Sequence, residues 1–257
     1  SAAHPVATGL LDAAGIDAAT SLEDVAARLA TLPLADAPGT HFHYEGSNTE
    51  LLARVVEVVS GQPFAQFLQQ RIFDPLAMRD TGFVVPAAQR GRVVELPTGT
   101  DDGRLRVAGT PSALSPGVRL KGYDSGAGGL YSTAADYLAF ARMLRDDGRA
   151  GGRRLLARKT VDLMMADQLG GFVPAVPFPA PGEGFGLGGY VVVDPAARGK
   201  LGSAGQFGWS GAASTYFTID RRERLVAILM LQYLPAGPRP LASPSTRFYN
   251  LVYQAIP

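Results

Sequence analysis

Residues 38–63 read PGTHFHYEGSNTELLARVVEVVSGQP. A Pro-Gly turn leads through a loop bearing His41, Phe42, His43 and Tyr44 into Leu51, Leu52, Val55, Val56, Val58 and Val59, whose spacing predicts a helix. Ser47 or Asn48 is placed to cap it by offering a side-chain oxygen to the free N–H groups of the first turn, and Gly61 stands where a left-handed stop belongs. Functional side chains tend to sit in loops that lead into rigid elements. Tyr44 is in that position, with a phenol able to shuttle a proton, although an ordinary tyrosine with a pKa of ~10 needs cations beside it to act as a base.

Upstream, Ser21 with Asp24 three residues later opens a run in which Leu22, Val25, Ala26 and Leu29 recur at helical spacing until Pro33. Downstream, Pro63 starts a helix through Phe64, Phe67, Leu68 and Ile72. From Asp74 to about Tyr123, short apolar pieces separated by Gly, Pro and Asp predict strands and loops of no fixed register. Thr133 and Asp136 cap residues 137–144, Gly148 follows, and residues 161–165 make a further helical turn or two. Residues 190–193, 214–219 and 225–232 are β-branched and aromatic, the last two forming a hairpin through 220–224, with 248–256 as a closing helix. Just before that hairpin, Gly208, Trp209, Ser210, Gly211 and Ala212 read as a loop of small residues where a substrate could approach the backbone and an exposed N–H could polarise a carbonyl. Helices first and strands after predict an α+β fold, an antiparallel sheet flanked by helices. The expected layout is a single domain, with a helix-rich lobe over about 1–185 and sheet strands plus closing helix over 186–257.

Of 257 residues 46% are hydrophobic and 18% charged, enough to bury a core in one large domain or two interleaved lobes. Lys+Arg 24 against Asp+Glu 23 leaves +1, too little for the basic field that nucleic acid binding uses. No run approaches the ~20 uninterrupted apolar residues of a membrane span, and the visible N-terminus lacks a basic-then-apolar secretory pattern. That favours the cytoplasm, with the periplasm or secretion open if a signal lies upstream. Cys 0 removes thiol nucleophiles and cysteine metal ligands. Only Lys121, Lys159 and Lys200 are lysines, so a catalytic lysine has three candidates.

In combination, several segments carry a family pattern: Pro38-Gly39-Thr40, Phe42 and Tyr44, then residues 51–57, Ser60-Gly61-Gln62-Pro63, Ile72-Phe73-Asp74-Pro75-Leu76, and Asp80-Thr81-Gly82-Phe83. Residues 125–130, Ser132-Thr133-Ala134, Asp136-Tyr137 and 208–220 continue it in the same order. From about Leu10 to the C-terminus the chain resembles the serine β-lactamase superfamily, and more narrowly the class C β-lactamase-like esterases called family VIII. The resemblance implies a β-lactamase/transpeptidase-like fold and acyl transfer from small esters or amides through an acyl-enzyme, without a cofactor. Tyr44 matches the tyrosine of the family's Tyr-Xaa-Asn motif, the general base and acid. Gly46 stands where the asparagine is common, so Asn48 would supply the amide only if the loop shifts. Trp209-Ser210-Gly211 matches the third motif, Lys-Thr-Gly in many β-lactamases and Trp-Xaa-Gly in the esterases, and would shape the acyl pocket. Trp209 removes a cation that would meet a carboxylate, which favours neutral esters. The N–H of Ala212 would be one arm of the oxyanion hole.

The family's nucleophile lies in Ser-Xaa-Xaa-Lys, which puts lysine one helical turn from serine. This chain contains no such motif and no Gly-Xaa-Ser-Xaa-Gly elbow. Ala3-His4-Pro5 to Gly9-Leu10 looks like a degraded form of a His-Thr-Ser-Gly-Leu segment that follows the nucleophile in the family. The expectation is therefore that an N-terminal segment or separate chain supplies serine and lysine, and that without it apolar faces lie open. Two alternatives remain: a β-lactamase or D-amino peptidase, and, from another class, a catalytically silent homologue or fragment acting as a binding module.

Other signals carry less. His41-Xaa-His43 has only His4 as a third imidazole, which disfavours a metal site. The glycines of 126–129 and 184–189 lack a nucleotide fingerprint and its phosphate-loop lysine. Arg153-Arg154 and Arg221-Arg222 read as solvated charge, Met164-Met165 as core, and Ser1 as a weak candidate for an N-terminal nucleophile.

Overall fold

A computed structural model describes residues 10–99, 104–107, 117–170, 180–234 and 244–257; Ser1 and the segment from Ala3 to Gly9 lie outside them. The chain divides into two compact units, one of residues 1–75, 79–93 and 111–132 and one of residues 76–78, 94–110 and 133–257.

The first unit is helical. Helix α1 (Leu22–Leu29) starts where expected: the Ser21 side chain accepts the Asp24 N–H at 3.0 Å, and the Asp24 carboxylate accepts Thr20 N–H at 3.1 Å and Arg28 Nε at 2.7 Å. Leu22 and Val25 pack with Ala19, Ala53 and Tyr123 into an apolar core edged by Leu29 and Phe64. Removing the cap by Ser21→Ala is expected to destabilise this helix by about 1 kcal/mol, read as a shifted urea midpoint at constant slope.

Helix α2 (Gly46–Ser60) begins earlier than Ser47 or Asn48 would set it: Glu45 is its extended N-cap, without a side-chain bond, and Ser47 and Asn48 lie inside the first turn. Gly61, at φ 68°, ends it and donates its N–H to Glu57 O. Short helix α3 (Phe64–Leu68) follows Pro63, which is its N-cap and not its first helical residue. The Glu57 carboxylate accepts the Phe64 N–H at 3.1 Å. A π-helical turn, Gln69–Phe73, carries the chain on to buried Phe73. Of the strands expected beyond Asp74, the described residues of this unit show a single bridge, Gly82 with Tyr131, and a 3₁₀ turn at Ala87–Arg92.

The second unit holds the sheet. A small hairpin pairs β1 (Pro97–Gly99) with β2 (Leu105–Val107). Helix α4 (Ala134–Arg145), capped by Thr133, leads to the two-residue strands β3 (Arg149–Ala150) and β4 (Arg153–Arg154) and to helix α5 (Arg158–Met164). Then come β5 (Glu183–Phe185), β6 (Tyr190–Val192), helix α6 (Pro195–Arg198), β7 (Phe207–Ser210), β8 (Tyr216–Asp220), β9 (Leu225–Leu229) and helix α7 (Ser245–Gln254). The five strands β5 to β9 pair antiparallel in sequence order, and α4 and α7 pack against β9. Buried Asp220 fixes the β8–β9 turn by accepting the N–H groups of Arg222 and Glu223 at 3.0 and 3.1 Å, and it takes the Tyr253 hydroxyl of α7 at 2.8 Å.

The segment read as a loop before the hairpin is in its first half a strand. Gly208 and Trp209 sit in β7 opposite Thr218 and Phe217. Composition suggested a turn, but Gly208 is needed for packing: a Cβ there would collide with Phe217 O and the Tyr190 hydroxyl.

Candidate active site

Tyr44 precedes the first residue of α2 by two positions, and its ring is 53% exposed. The loop before it is tied to itself: His43 Nε2 lies 2.7 Å and His41 Nδ1 3.3 Å from the two oxygens of Asp36, and the Thr40 hydroxyl donates to Ala37 O at 2.6 Å. Both imidazoles thus share one carboxylate. Among the described residues no group of three or more His, Cys, Asp and Glu side chains is placed to hold a metal. Asn48, on the first turn of α2, is exposed.

The second turn of α2 carries a residue that the sequence did not single out. Glu50 is 1% exposed. Its Oε1 accepts the Ser125 hydroxyl at 2.6 Å, the Lys121 ammonium at 3.1 Å and the Tyr123 hydroxyl at 3.2 Å, while Oε2 accepts the Gly126 N–H at 2.7 Å. Burial alone would lower the Lys121 pKa, but the hydrogen bond to Glu50 and its charge hold the ammonium above its ordinary value. Burial, followed by the Glu50 charge, pushes the Tyr123 phenol up, so it stays neutral and donates. Four donors on one carboxylate satisfy it without an exposed counter-ion.

This clamp lays the Ser125–Gly126 loop directly on α2. A Cβ at Gly126 would run into Thr49 O and come within 2.6 Å of the Ala53 methyl, and one at Gly46 would meet the Ala127 methyl at 3.3 Å. The start of α2, and with it the attachment point of Tyr44, is braced from the side. A glutamate on a helical face shared with small Ala53, together with a serine-glycine loop elsewhere, is the only trace this clamp leaves in the sequence. The lysine that would accompany a nucleophile is not free here. Lys121 is held by Glu50, while Lys159 and Lys200 are exposed residues of the second unit.

In the second unit β7 ends at exposed Ser210. Trp209 stacks its edge on Phe185, with ring centroids 5.2 Å apart at 82°. Gly211 N–H donates to Thr215 O at 2.9 Å and Ser214 N–H to Gly211 O at 3.0 Å, closing a tight turn in which Ser214 takes φ 67°. The buried Ser214 hydroxyl donates to Tyr233 O at 2.9 Å, anchoring the turn from behind. Ala212 lies exposed at the tip, and its N–H has no hydrogen-bond partner among the described residues. An anchored turn presenting a free N–H can polarise an oxygen brought to it.

A helical unit with a tyrosine at a helix start, and a second unit whose antiparallel sheet is flanked by helices, define a β-lactamase/transpeptidase-like α+β fold. A family model described as Beta-lactamase matches residues 5–249, and the chain belongs to that family. Protein Rv1367c of Mycobacterium tuberculosis is 36% identical over 220 residues, covering 81% of this chain and 53% of that protein. Esterase EstB of Burkholderia gladioli is 30% identical over 224 residues, covering 81% of this chain and 54% of the esterase. The solved structure of EstCE1, a hydrolase with promiscuous acyltransferase activity, superimposes with a TM-score of 0.72 at 22% identity over 91% of this chain and 61% of that one. The chain spans about half the length of the curated relatives it matches.

Proposed function

We propose that this chain is the larger part of a serine hydrolase that cleaves small acyl esters, with the nucleophilic serine and its lysine supplied by a segment outside these 257 residues. The observation that carries the reading is the end of β7. An indole backed by Phe185 stands there where a cation would suit a carboxylate, next to the Ala212 N–H, which has no hydrogen-bond partner among the described residues. An apolar wall and a single N–H suit a neutral acyl group whose carbonyl must be polarised. The similarity to EstB, a named esterase, points the same way.

In this scheme the serine oxygen adds to the ester carbonyl while its single proton passes by way of the lysine to Tyr44. The oxyanion is stabilised at Ala212 N–H, and the alcohol leaves with the proton returned by Tyr44. Water then repeats the addition on the acyl-enzyme and releases the acid. Trp209, Ser210 and Gly211 line the acyl side, and Asn48 is the amide available near Tyr44 on its own helix. The missing Ser-Xaa-Xaa-Lys favours a second reading, a silent member of the family acting as a binding module.

Treatment with a serine-reactive fluorophosphonate followed by intact-mass spectrometry separates the two. The adduct is expected on a polypeptide longer than these 257 residues or on a second chain, with hydrolysis of p-nitrophenyl butyrate lost in parallel. Complete absence of adduct and of hydrolysis would establish the silent reading. Hydrolysis of a cephalosporin but not of the ester would move the assignment to a β-lactamase.

A further inference from the structure

One end of the second unit holds an excess of positive charge that the +1 of the whole chain conceals. Residues 142–162 and 220–224 contain ten of the 24 Lys and Arg but five of the 23 Asp and Glu, so the rest of the chain is negative. The structure brings these segments together. Arg145, at the end of α4, donates from Nη1 to Arg224 O in the β8–β9 turn at 3.4 Å, and Arg221 of that turn reaches Asp147 and, at 2.9 Å, Asp162 of α5. The β3–β4 hairpin is tied in by Arg154, whose Nη1 donates to Asp147 O at 2.8 Å. Four of the five carboxylates are already engaged: Asp146 by Arg145, Asp147 and Asp162 by Arg221, and Asp220 by its three donors. Arg142, Arg149, Arg153, Arg222 and Arg224 are exposed residues whose guanidinium groups, among the described residues, take part in no hydrogen bond or ion pair. Arg149 stands directly opposite Arg154 in the hairpin. Like charges facing each other across two strands work against their pairing, so folding does not account for them.

We propose that this end is a peripheral docking face for an anionic phospholipid surface, met through guanidinium–phosphate contacts while no segment enters the bilayer. Nine of the ten cations are arginine, whose planar fork takes two phosphate oxygens at once. A flat array of phosphates suits unpaired arginines spread over a helix end, a hairpin and a turn. Nucleic acid suits them less well. Duplex recognition sets a helix or a two-stranded ribbon into a groove, and β3 and β4 are two residues each. Single strands stack their bases on aromatic rings, and residues 142–162 and 220–224 contain no Phe, Tyr, Trp or His. The remainder of the chain, being negative, is repelled by the same lipid surface, so the charge asymmetry also orients the approach. The proposal stands apart from the hydrolase reading, because none of these residues belongs to the candidate active site.

The protein expressed from its complete reading frame is sedimented with vesicles of phosphatidylcholine alone and of two parts phosphatidylcholine to one part phosphatidylglycerol. At low salt the bound fraction is expected to be at least about tenfold higher on the anionic vesicles, and to fall to the neutral level in about 1 M salt, where the Debye length shrinks to about 3 Å. Arg149→Glu, Arg153→Glu and Arg222→Glu combined should remove this binding. A control with Arg71→Glu, Arg79→Glu and Lys200→Glu, exposed positions outside the two segments, reverses as many charges and should keep it. Circular dichroism checks that both variants fold. If the first does not, Arg149→Gln, Arg153→Gln and Arg222→Gln take its place, with binding at least about tenfold weaker expected. Equal binding to both kinds of vesicle, binding to neither, or equal loss in the two sets of variants overturns the proposal. Tighter binding to duplex DNA at the same phosphate concentration and salt overturns it too, and assigns the face to nucleic acid.

Discussion

Glu50→Ala is expected to destabilise the first unit by about 3–5 kcal/mol, the range for removing one partner of a buried charged network. The loss does not come from the missing carboxylate alone. The Gly126 N–H and the Ser125 hydroxyl, the latter on a residue 3% exposed, are left as buried donors without acceptors, and Lys121 loses the anion that offsets its partial burial. No nearby rearrangement repairs this, because Gly126 already lies against Thr49 and Ala53. Glu50→Gln separates charge from shape. It keeps the volume and one acceptor oxygen but turns an NH₂ group toward partners that are all donors, so it should fall between wild type and alanine. Urea unfolding followed by far-UV circular dichroism reads the series. Trp209, the chain's one tryptophan, belongs to the second unit, so its fluorescence should respond less than the helical signal. An alanine variant within about 0.5 kcal/mol of wild type would mean that the four bonds stabilise nothing.

The contrast between Glu50 and its helical neighbours shows what a sequence can and cannot carry. The spacing of Leu51, Leu52, Val55, Val58 and Val59 defines a stripe, and the stripe exists. Which way it faces is decided by partners far along the chain, Tyr123, Ser125 and Gly126, and periodicity holds no information about them. A glutamate between Thr49 and Leu51 looks like an ordinary solvated residue for the same reason. Local chemistry was easier to read. Ser21 with Asp24, Gly61, and the turn at Asp220 act through neighbours within four residues and appear where their side chains require. Gly208 lies between these cases: glycine signals either a turn or a close approach, and only the position of Tyr190 and Phe217 decides for the strand. Motif order along the chain was sufficient for the family, because it samples all these long-range partners at once.

In the polypeptide that supplies serine and lysine, Tyr44→Phe is expected to lower kcat for a p-nitrophenyl ester by about 10²–10⁴, the range for a positioned general acid or base. That corresponds to about 3–5 kcal/mol of transition-state stabilisation. Stability should change by less than about 1 kcal/mol, because phenylalanine keeps the ring, and water can replace whatever the hydroxyl bonds at a side chain 53% exposed. KM should stay near its wild-type value, since the proton moves only as the transition state forms, and losing such an interaction lowers kcat and kcat/KM together. A raised KM at unchanged kcat would instead place the phenol in substrate binding, and unchanged kinetics would remove Tyr44 from the proton path. The Glu50 variants supply the control. If Tyr44 acts only through the bracing of α2, its substitution should resemble Glu50→Gln, with melting temperature and turnover falling together. If it handles the proton, turnover falls while the melting temperature holds, because the clamp on α2 is untouched by loss of a hydroxyl six positions before it.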